Sequence, residues 1–114
     1  MKELYDRIIS IVSESSNGKT LIQLSIELDV PIIDIMDYLM VAVGFKRLFA
    51  VHSGNGWTDV ITYTATDHKL GIANHSRCQL LIANIRLGQK KPDVVSEREW
   101  NYLKDLCRLC GEIN

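Results

Sequence analysis

Residues 20–63 hold the pattern that most restricts how this chain can fold. Leucines recur at spacings of three and four over residues 21–28, and a second apolar segment runs from residue 32 to residue 43. Pro31 separates the two segments, because a proline disfavours a helical conformation in the residue before it and suits the first turn of a new helix. The pattern predicts two short helices joined by a tight turn, the second ending at Gly44.

Two segments rich in aromatic and β-branched residues come next, at 45–51 and 57–65, and they flank the sequence SGNG. Such a glycine-rich turn between strand-like segments favours a β-hairpin. A two-stranded ribbon is stable in water only when it packs against other elements. We therefore expect this ribbon to lie against the helices.

An amphipathic helix is predicted before this stretch, over residues 2–13, where apolar residues again recur at spacings of three and four. Gly18 can take the left-handed conformation that commonly ends a helix. Thr20 suits the N-cap of the next helix, and Gln23 stands where it would complete a capping box.

Two more helices are predicted towards the C-terminus. Asn74 or Ser76 could cap a helix that ends near Gly88, and Ser96 with Glu99 has the spacing of a capping box for the last helix. That last helix carries one apolar stripe, made of Trp100, Leu103, Leu106, Cys107 and Cys110. We expect an α+β, mostly helical fold in a single compact domain. Residues 1–66 would form the three helices and the ribbon, and residues 67–114 a helical extension that closes the core or forms a dimer seam.

This layout resembles the winged helix-turn-helix superfamily, and within it the small bacterial and phage transcriptional regulators, such as those that control fimbrial operons. Besides the SGNG hairpin, the resemblance is carried by Gly18, Lys19, Thr20, Leu24, Leu28, Asp29, Val30, Leu39, Val43, Gly44 and Phe45. It covers residues 2–65 and implies three helices followed by a β-hairpin wing. It also implies that the third helix enters the major groove of DNA.

The third helix departs from what that resemblance implies. Helices that read DNA present Arg, Lys, Asn or Gln to the base edges, whereas residues 31–43 contain no basic residue and two aspartates. Its spacing assigns to the core Ile33, Met36, Leu39 or Met40, and Val43. The opposite face would then carry Ala42 and the candidate protein-interface residues Asp34, Ile35, Asp37, Tyr38 and Val41.

A helix that is apolar on nearly all sides is usually buried. We therefore expect that opposite face to be covered by the C-terminal helices, by a second subunit or by a partner protein. Trp57, in the predicted wing, is a further candidate contact for a partner. An equally good interpretation is that Trp57 is a core residue.

Basic residues elsewhere could still contact DNA. The net charge is only -1, but residues 68–91 contain no acid and five Lys or Arg. A helix N-terminus suits a phosphate, and the wing can approach the DNA backbone. The candidate DNA-binding residues are Lys19, Thr20, Lys46, Arg47, His52, Asn55, Lys69, Arg77, Arg86, Lys90 and Lys91. The alternative is that these are ordinary solvated side chains and that SGNG is only a turn.

Metal binding and catalysis are not expected. A structural zinc site needs four ligands, and the pair Cys107 and Cys110 has no second pair at metal-binding spacing. Cysteines three apart on an amphipathic helix are more often small core residues. No phosphate-binding loop, metalloprotease motif or nucleophile-base pair is present. We therefore expect a protein that is not an enzyme and binds no cofactor.

Two functions remain open. The chain could be a small winged-helix transcriptional regulator that binds DNA and forms a homodimer through its C-terminal helices. It could instead be a winged-helix interaction module, an adaptor or a phage-encoded inhibitor of a host complex, without sequence-specific DNA binding. We expect a cytoplasmic protein with no membrane partner, because no apolar window reaches the ~18 residues of a membrane span and the first residues lack a secretory signal.

Overall fold

The computed structural model describes residues 2–53, 60–66 and 77–114, and for residues 52, 53 and 60 it describes the backbone alone. The elements in these ranges are α1 (Lys2–Glu14), β1 (Lys19–Thr20), α2 (Leu21–Leu28), α3 (Ile32–Gly44), β2 (Phe49–Ser53), β3 (Val60–Thr64), α4 (Arg77–Arg86) and α5 (Glu97–Leu109). The chain is therefore α+β, with helices predominating, as expected. No helix in these ranges combines the length and the apolar character that crossing a bilayer requires.

The predicted starts of α2 and α5 are confirmed, whereas Asn74 and Ser76, the expected caps of α4, lie outside the described residues. The Thr20 hydroxyl accepts from the Gln23 backbone N–H at 3.2 Å, and the Gln23 side chain accepts from the Thr20 N–H at 2.9 Å, which is a complete capping box. The Ser96 hydroxyl accepts from the backbone N–H of Glu99 at 3.2 Å at the start of α5. Pro31 occupies the N-cap position of α3.

The ribbon pairs as predicted, but its strands are shorter. β2 and β3 are antiparallel, with Ala50 opposite Tyr63, whereas residues 45–48 form a turn in which Lys46 is left-handed with φ 58°. Asn55 and Trp57, which belong to the predicted hairpin, lie outside the described residues.

The structure contains a third strand that the sequence pattern did not predict. β1 pairs with β3, so that Lys19 lies opposite Tyr63 and the sheet order is β1-β3-β2. Gly18 precedes β1 with φ 75°, and a Cβ there would lie 2.6 Å from the Tyr63 carbonyl oxygen. Gly18 therefore permits this close approach of the strands, rather than ending α1, which stops at Glu14.

α3 lies at the centre of the fold and contacts α1, α2, α4, α5 and β2. One core cluster joins the N-terminal and C-terminal helices; its buried members include Tyr5, Ile8, Val12, Leu24, Leu28, Ile35, Tyr38, Leu39, Val41, Ala42, Leu81, Ile82, Ile85, Trp100, Leu103, Leu106, Cys107 and Cys110. This cluster thus contains side chains of α4 and α5 together with those of α1, α2 and α3.

The predicted orientation of α3 holds for Leu39 and Val43, which are buried as expected, and is wrong for the first turns of the helix. Ile35, Tyr38 and Val41, expected on an interface, are buried in the chain's own core, whereas Ile33 and Met36, expected in the core, are 72% and 52% exposed. The reason is that α3 is apolar on nearly every side, so its spacing does not determine which side faces inward. Its neighbours decide the orientation.

Two contacts of α3 illustrate what covers it. The ring of Tyr38 packs against that of Tyr5 of α1, with ring centroids 6.4 Å apart. At the other end, a Cβ on Gly44 would overlap the side chain of Ile82, and Arg86 donates from Nε to the Gly44 carbonyl oxygen at 3.1 Å. Gly44 is therefore the position at which α4 crosses α3 at close range.

Candidate functional site

A group of large apolar side chains lies exposed on α2 and the first turns of α3. We refer to it as the α2–α3 apolar surface, and its members are Ile22, Ile26, Ile32, Ile33 and Met36. Ile26 and Ile33 are the most exposed, at 75% and 72%. The two helices pack against each other and are joined by a short turn at residues 29–31. Isolated exposed apolar residues are normal on a protein, but such a concentration is typical of a binding surface.

Elsewhere on the described chain the exposed apolar side chains are more widely spaced. They are Ile61, Leu80, Leu87, Val94, Tyr102 and Leu109. Six such residues are spread over 61–109, whereas five fall within residues 22–36. Along the sequence, exposed large apolar residues are therefore most closely spaced on α2 and α3.

Acidic residues predominate on α2 and α3, although Lys19, just before α2, pairs with Glu27 of that helix. Residues 20–45 contain four acids and no Lys, Arg or His. Asp29 and Asp34 are exposed, and Asp37 is half-buried and accepts a hydrogen bond from the Tyr102 hydroxyl at 2.9 Å. This surface therefore repels phosphate and attracts cationic groups.

Most of the predicted DNA-binding cations in the described residues are already engaged within the chain. Lys19 pairs with Glu27 at 3.1 Å and Arg77 pairs with Glu99. Arg86 donates to Gly44, and Lys91 donates to the Val95 carbonyl oxygen at 2.7 Å. Each of these four groups therefore already contacts a carboxylate or carbonyl oxygen of the chain.

Arg47 has the most extensive of these contacts. Its guanidinium donates to both carboxylate oxygens of Glu112, at 2.8 and 3.0 Å, and the Tyr5 hydroxyl donates to the same carboxylate at 3.0 Å. The Glu112 side chain is only 7% exposed. This pairing raises the pKa of Arg47, and burial, followed by the Glu112 charge, raises that of Tyr5. The cluster ties the C-terminal segment to α1 and to the α3–β2 turn.

The other DNA-binding candidates are divided between exposed positions and undescribed ones. Lys46 and Lys90 are exposed and have no ion-pair partner in the described ranges. Thr20 is occupied as the N-cap of α2. Asn55 and Lys69 and the side chain of His52 lie outside the described residues.

Only the first turns of α3 are available to an incoming molecule. Gly44 lies on the same side of the helix as Ile33, because residues eleven apart complete about three turns. α4 covers that side at Gly44, while Ile33 and Met36 remain exposed. α3 therefore cannot lie along a major groove over its full length as α4 is placed.

The cysteines are structural in this fold. Burial raises the pKa of Cys107 and of Cys110 to about 12, so both are protonated thiols at neutral pH. Cys78, on α4, is half-buried and is not disulfide-bonded. Across the ranges 2–53, 60–66 and 77–114, His, Cys, Asp and Glu form no cluster that could hold a metal ion.

Sequence reasoning missed the α2–α3 apolar surface because it assigned Ile33 and Met36 to the core. One signal for it is present in α2, where Ile22 and Ile26 are one turn apart and lie off the stripe of Leu21, Leu24 and Leu28. For α3 no comparable signal exists, since both sides are apolar. No protein-family model matches this chain, and neither the curated proteins nor the solved structures contain a significant match to it.

Proposed function

We propose that this chain is a winged-helix protein-interaction module that binds its partner through the α2–α3 apolar surface. The observation that carries the proposal is the exposure of Ile26 and Ile33, at 75% and 72%, within a stretch that has no basic residue. Burying such side chains against a partner contributes about 1.5–3 kcal/mol each when complete. Keeping them in water has no structural benefit for the free chain.

The order of elements supports the winged-helix part of the proposal. Three helices are followed by an antiparallel ribbon, with a short strand between the first and second helices. In DNA-binding members of that superfamily the third helix supplies the recognition surface. Here the corresponding helix supplies an acidic and apolar surface, which suits a protein partner better than nucleic acid.

DNA binding is the second candidate, and Lys46 and Lys90 favour it. Both are exposed, and Lys46 lies in the turn that leads into the ribbon. To bind DNA, the other described cations would first have to break their contacts with carboxylate or carbonyl oxygens. Without those cations, the chain could make few contacts with phosphates.

Site-specific photo-crosslinking tests the proposed function. A photoreactive amino acid replaces Ile26 or Ile33, and the purified protein is illuminated in lysate of the source organism. We expect both positions to yield the same discrete protein adduct, and an added Met36→Glu substitution to abolish it. Leu80, which is 55% exposed on α4, provides the control position and yields no such adduct.

A DNA titration separates the two candidates. Fluorescence anisotropy with duplex DNA at ~50 mM salt is expected to show no strong binding, whereas a DNA-binding protein with several phosphate contacts would bind tightly there and lose affinity steeply with added salt. Tight, salt-sensitive DNA binding together with equal crosslinking at Leu80 and Ile33 would overturn the proposal.

A further inference from the structure

We propose that the segment bound by the α2–α3 apolar surface is a cationic amphipathic helix, whose apolar stripe is flanked by Lys or Arg. This inference rests on the proposed function and adds the chemistry of the partner. It is carried by the coincidence of exposed apolar side chains and uncompensated acids on the same two helices.

The charges determine the flanking residues of the partner. Asp29 ends α2 and Asp34 lies in the first turn of α3, and both are exposed with no cationic partner in the described residues. Lys or Arg side chains of an incoming segment would supply the missing counter-charges. Complementary charge of this kind raises the association rate and selects against acidic partners.

The apolar residues determine the shape of the partner. Ile22 and Ile26 lie one turn apart on α2, and Ile33 and Met36 lie one turn apart on α3. An amphipathic helix presents its apolar side chains at the same spacing, which suits recognition by such pairs. The thioether of Met36 can adapt to differently shaped side chains.

A second copy of this chain is a poorer occupant. A symmetric dimer through this surface would place the same residues of both copies opposite one another. Asp29 and Asp34 of each copy would then meet an equally acidic patch, with no Lys or Arg between residues 20 and 45 to compensate. Like charges at an interface are destabilising.

Two model peptides of about five helical turns test the proposal. They share one leucine stripe, and their polar positions are all Lys in one peptide and all Glu in the other. By isothermal titration calorimetry or anisotropy, we expect the Lys peptide to bind with Kd of about 1–50 µM and the Glu peptide at least tenfold more weakly. The affinity for the Lys peptide is expected to fall as salt is added.

Matched variants assign the binding to this surface. Replacing both Ile33 and Met36 by Ser weakens binding of the Lys peptide at least tenfold, whereas Leu80→Ser with Leu87→Ser on α4 leaves it unchanged. All four side chains are exposed, so the variants remain folded, which circular dichroism verifies.

A second variant pair isolates the charges. Asp29→Asn with Asp34→Asn weakens binding several-fold and flattens the salt dependence; asparagine also tolerates the left-handed conformation of residue 29. Glu14→Gln with Asp93→Asn removes the same charge from exposed positions off this surface and leaves binding unchanged.

Three outcomes would overturn the proposal: equal binding of the two peptides, unchanged binding after the Ile33 and Met36 substitutions, or self-association in sedimentation velocity that those substitutions abolish. The last outcome would show that a second copy of this chain binds the α2–α3 apolar surface. If the peptides fail while photo-crosslinking at Ile33 succeeds, the surface is a binding site and only the cationic chemistry is wrong. If crosslinking fails as well, the proposed function fails with it.

Discussion

The two sides of α3 have similar apolar composition and opposite environments. Ile35 is fully buried, while Ile33, two residues earlier on the same helix, is 72% exposed. The difference shows that the burial of a helix face is decided by the elements around it. On the inner side, α1 packs Tyr5 against Tyr38, and no described element covers Ile33 to a similar extent.

The outer side of α3 also changes along its length. Ile33 and Met36 are exposed, but Gly44, on the same side, is covered by Ile82 of α4. A helix with an exposed start and a covered end presents a short, defined contact area. The local sequence of α3 does not determine this difference, because the helix that covers its end, α4, begins more than thirty residues later in the chain.

The largest expected effect tests the two sides directly. Ile35→Ala removes a fully buried side chain from the core, so it should lower the free energy of unfolding by about 2–5 kcal/mol. Ile33→Ala, the same substitution on the outer side, should change it by less than about 0.5 kcal/mol. Urea denaturation followed by circular dichroism measures both. Equal losses for the two variants would show that the sides are not distinct.

Gly44→Ala tests how closely α4 approaches α3. Alanine usually favours a helix over glycine, but here the added methyl group would overlap Ile82, so the variant should be less stable by about 1–3 kcal/mol. The double variant with Ile82→Ala serves as the control. Because Ile82→Ala removes the Cγ2 atom that would overlap the new methyl group and leaves only its Cβ, at 2.9 Å, the loss in the double variant should be smaller than the sum of the two single losses. Additive losses would place the two helices farther apart.

Much of the fold could be predicted from local signals. Thr20 and Gln23 form the expected capping box, Ser96 caps the last helix, and the ribbon pairs antiparallel. Each of these features depends on residues that are close in sequence. β1 could not be predicted, because two residues at Lys19 become a strand only through pairing with a strand forty residues away.

The candidate site was less predictable, for a related reason. Ile33 and Ile35 have the same chemistry, and only the placement of α1 and α4 separates them into exposed and buried residues. The acidic character of the α3 stretch was visible in the sequence, and so was its lack of a cation. Which of its side chains meet solvent depends on tertiary packing, which periodicity alone does not encode.

The next variant tests how residues 110–114, which follow α5, are attached to the rest of the chain. α5 contacts α3, so a displacement of α5 would change which side of α3 is exposed. The nearly buried Glu112 carboxylate accepts hydrogen bonds from Arg47 and from the Tyr5 hydroxyl. Glu112→Gln removes its charge, so we expect a loss of about 1–3 kcal/mol in the free energy of unfolding. The control is Asp105→Asn, which breaks an exposed pair with Arg108 and should cost at most about 0.5 kcal/mol. Equal, small losses would indicate a loosely attached segment.

The smallest effect concerns the hydrogen bond from Tyr102 of α5 to Asp37, at the edge between the two sides. This bond, followed by partial burial, raises the pKa of Tyr102 above its ordinary value of 10.0. The unfolded chain therefore loses the phenol proton first, and the stabilisation is present below pH 10 and is lost as the pH rises through the folded pKa. Because Tyr102 is 53% exposed, Tyr102→Phe should change the free energy of unfolding at neutral pH by only about 0.5 kcal/mol.

The titration itself is the more sensitive measurement of that bond. NMR of labelled tyrosine rings follows each of the four tyrosines, and the Tyr102→Phe spectrum assigns the signal. Asp37→Asn removes the carboxylate charge, so the pKa of Tyr102 should fall towards its ordinary value, while Asp34→Asn, on the same helix, leaves it unchanged. A Tyr102 pKa that does not respond to Asp37→Asn would mean that α5 does not reach the edge of α3. Asp37 would then be a fully solvated acid, available to a cationic partner together with Asp34.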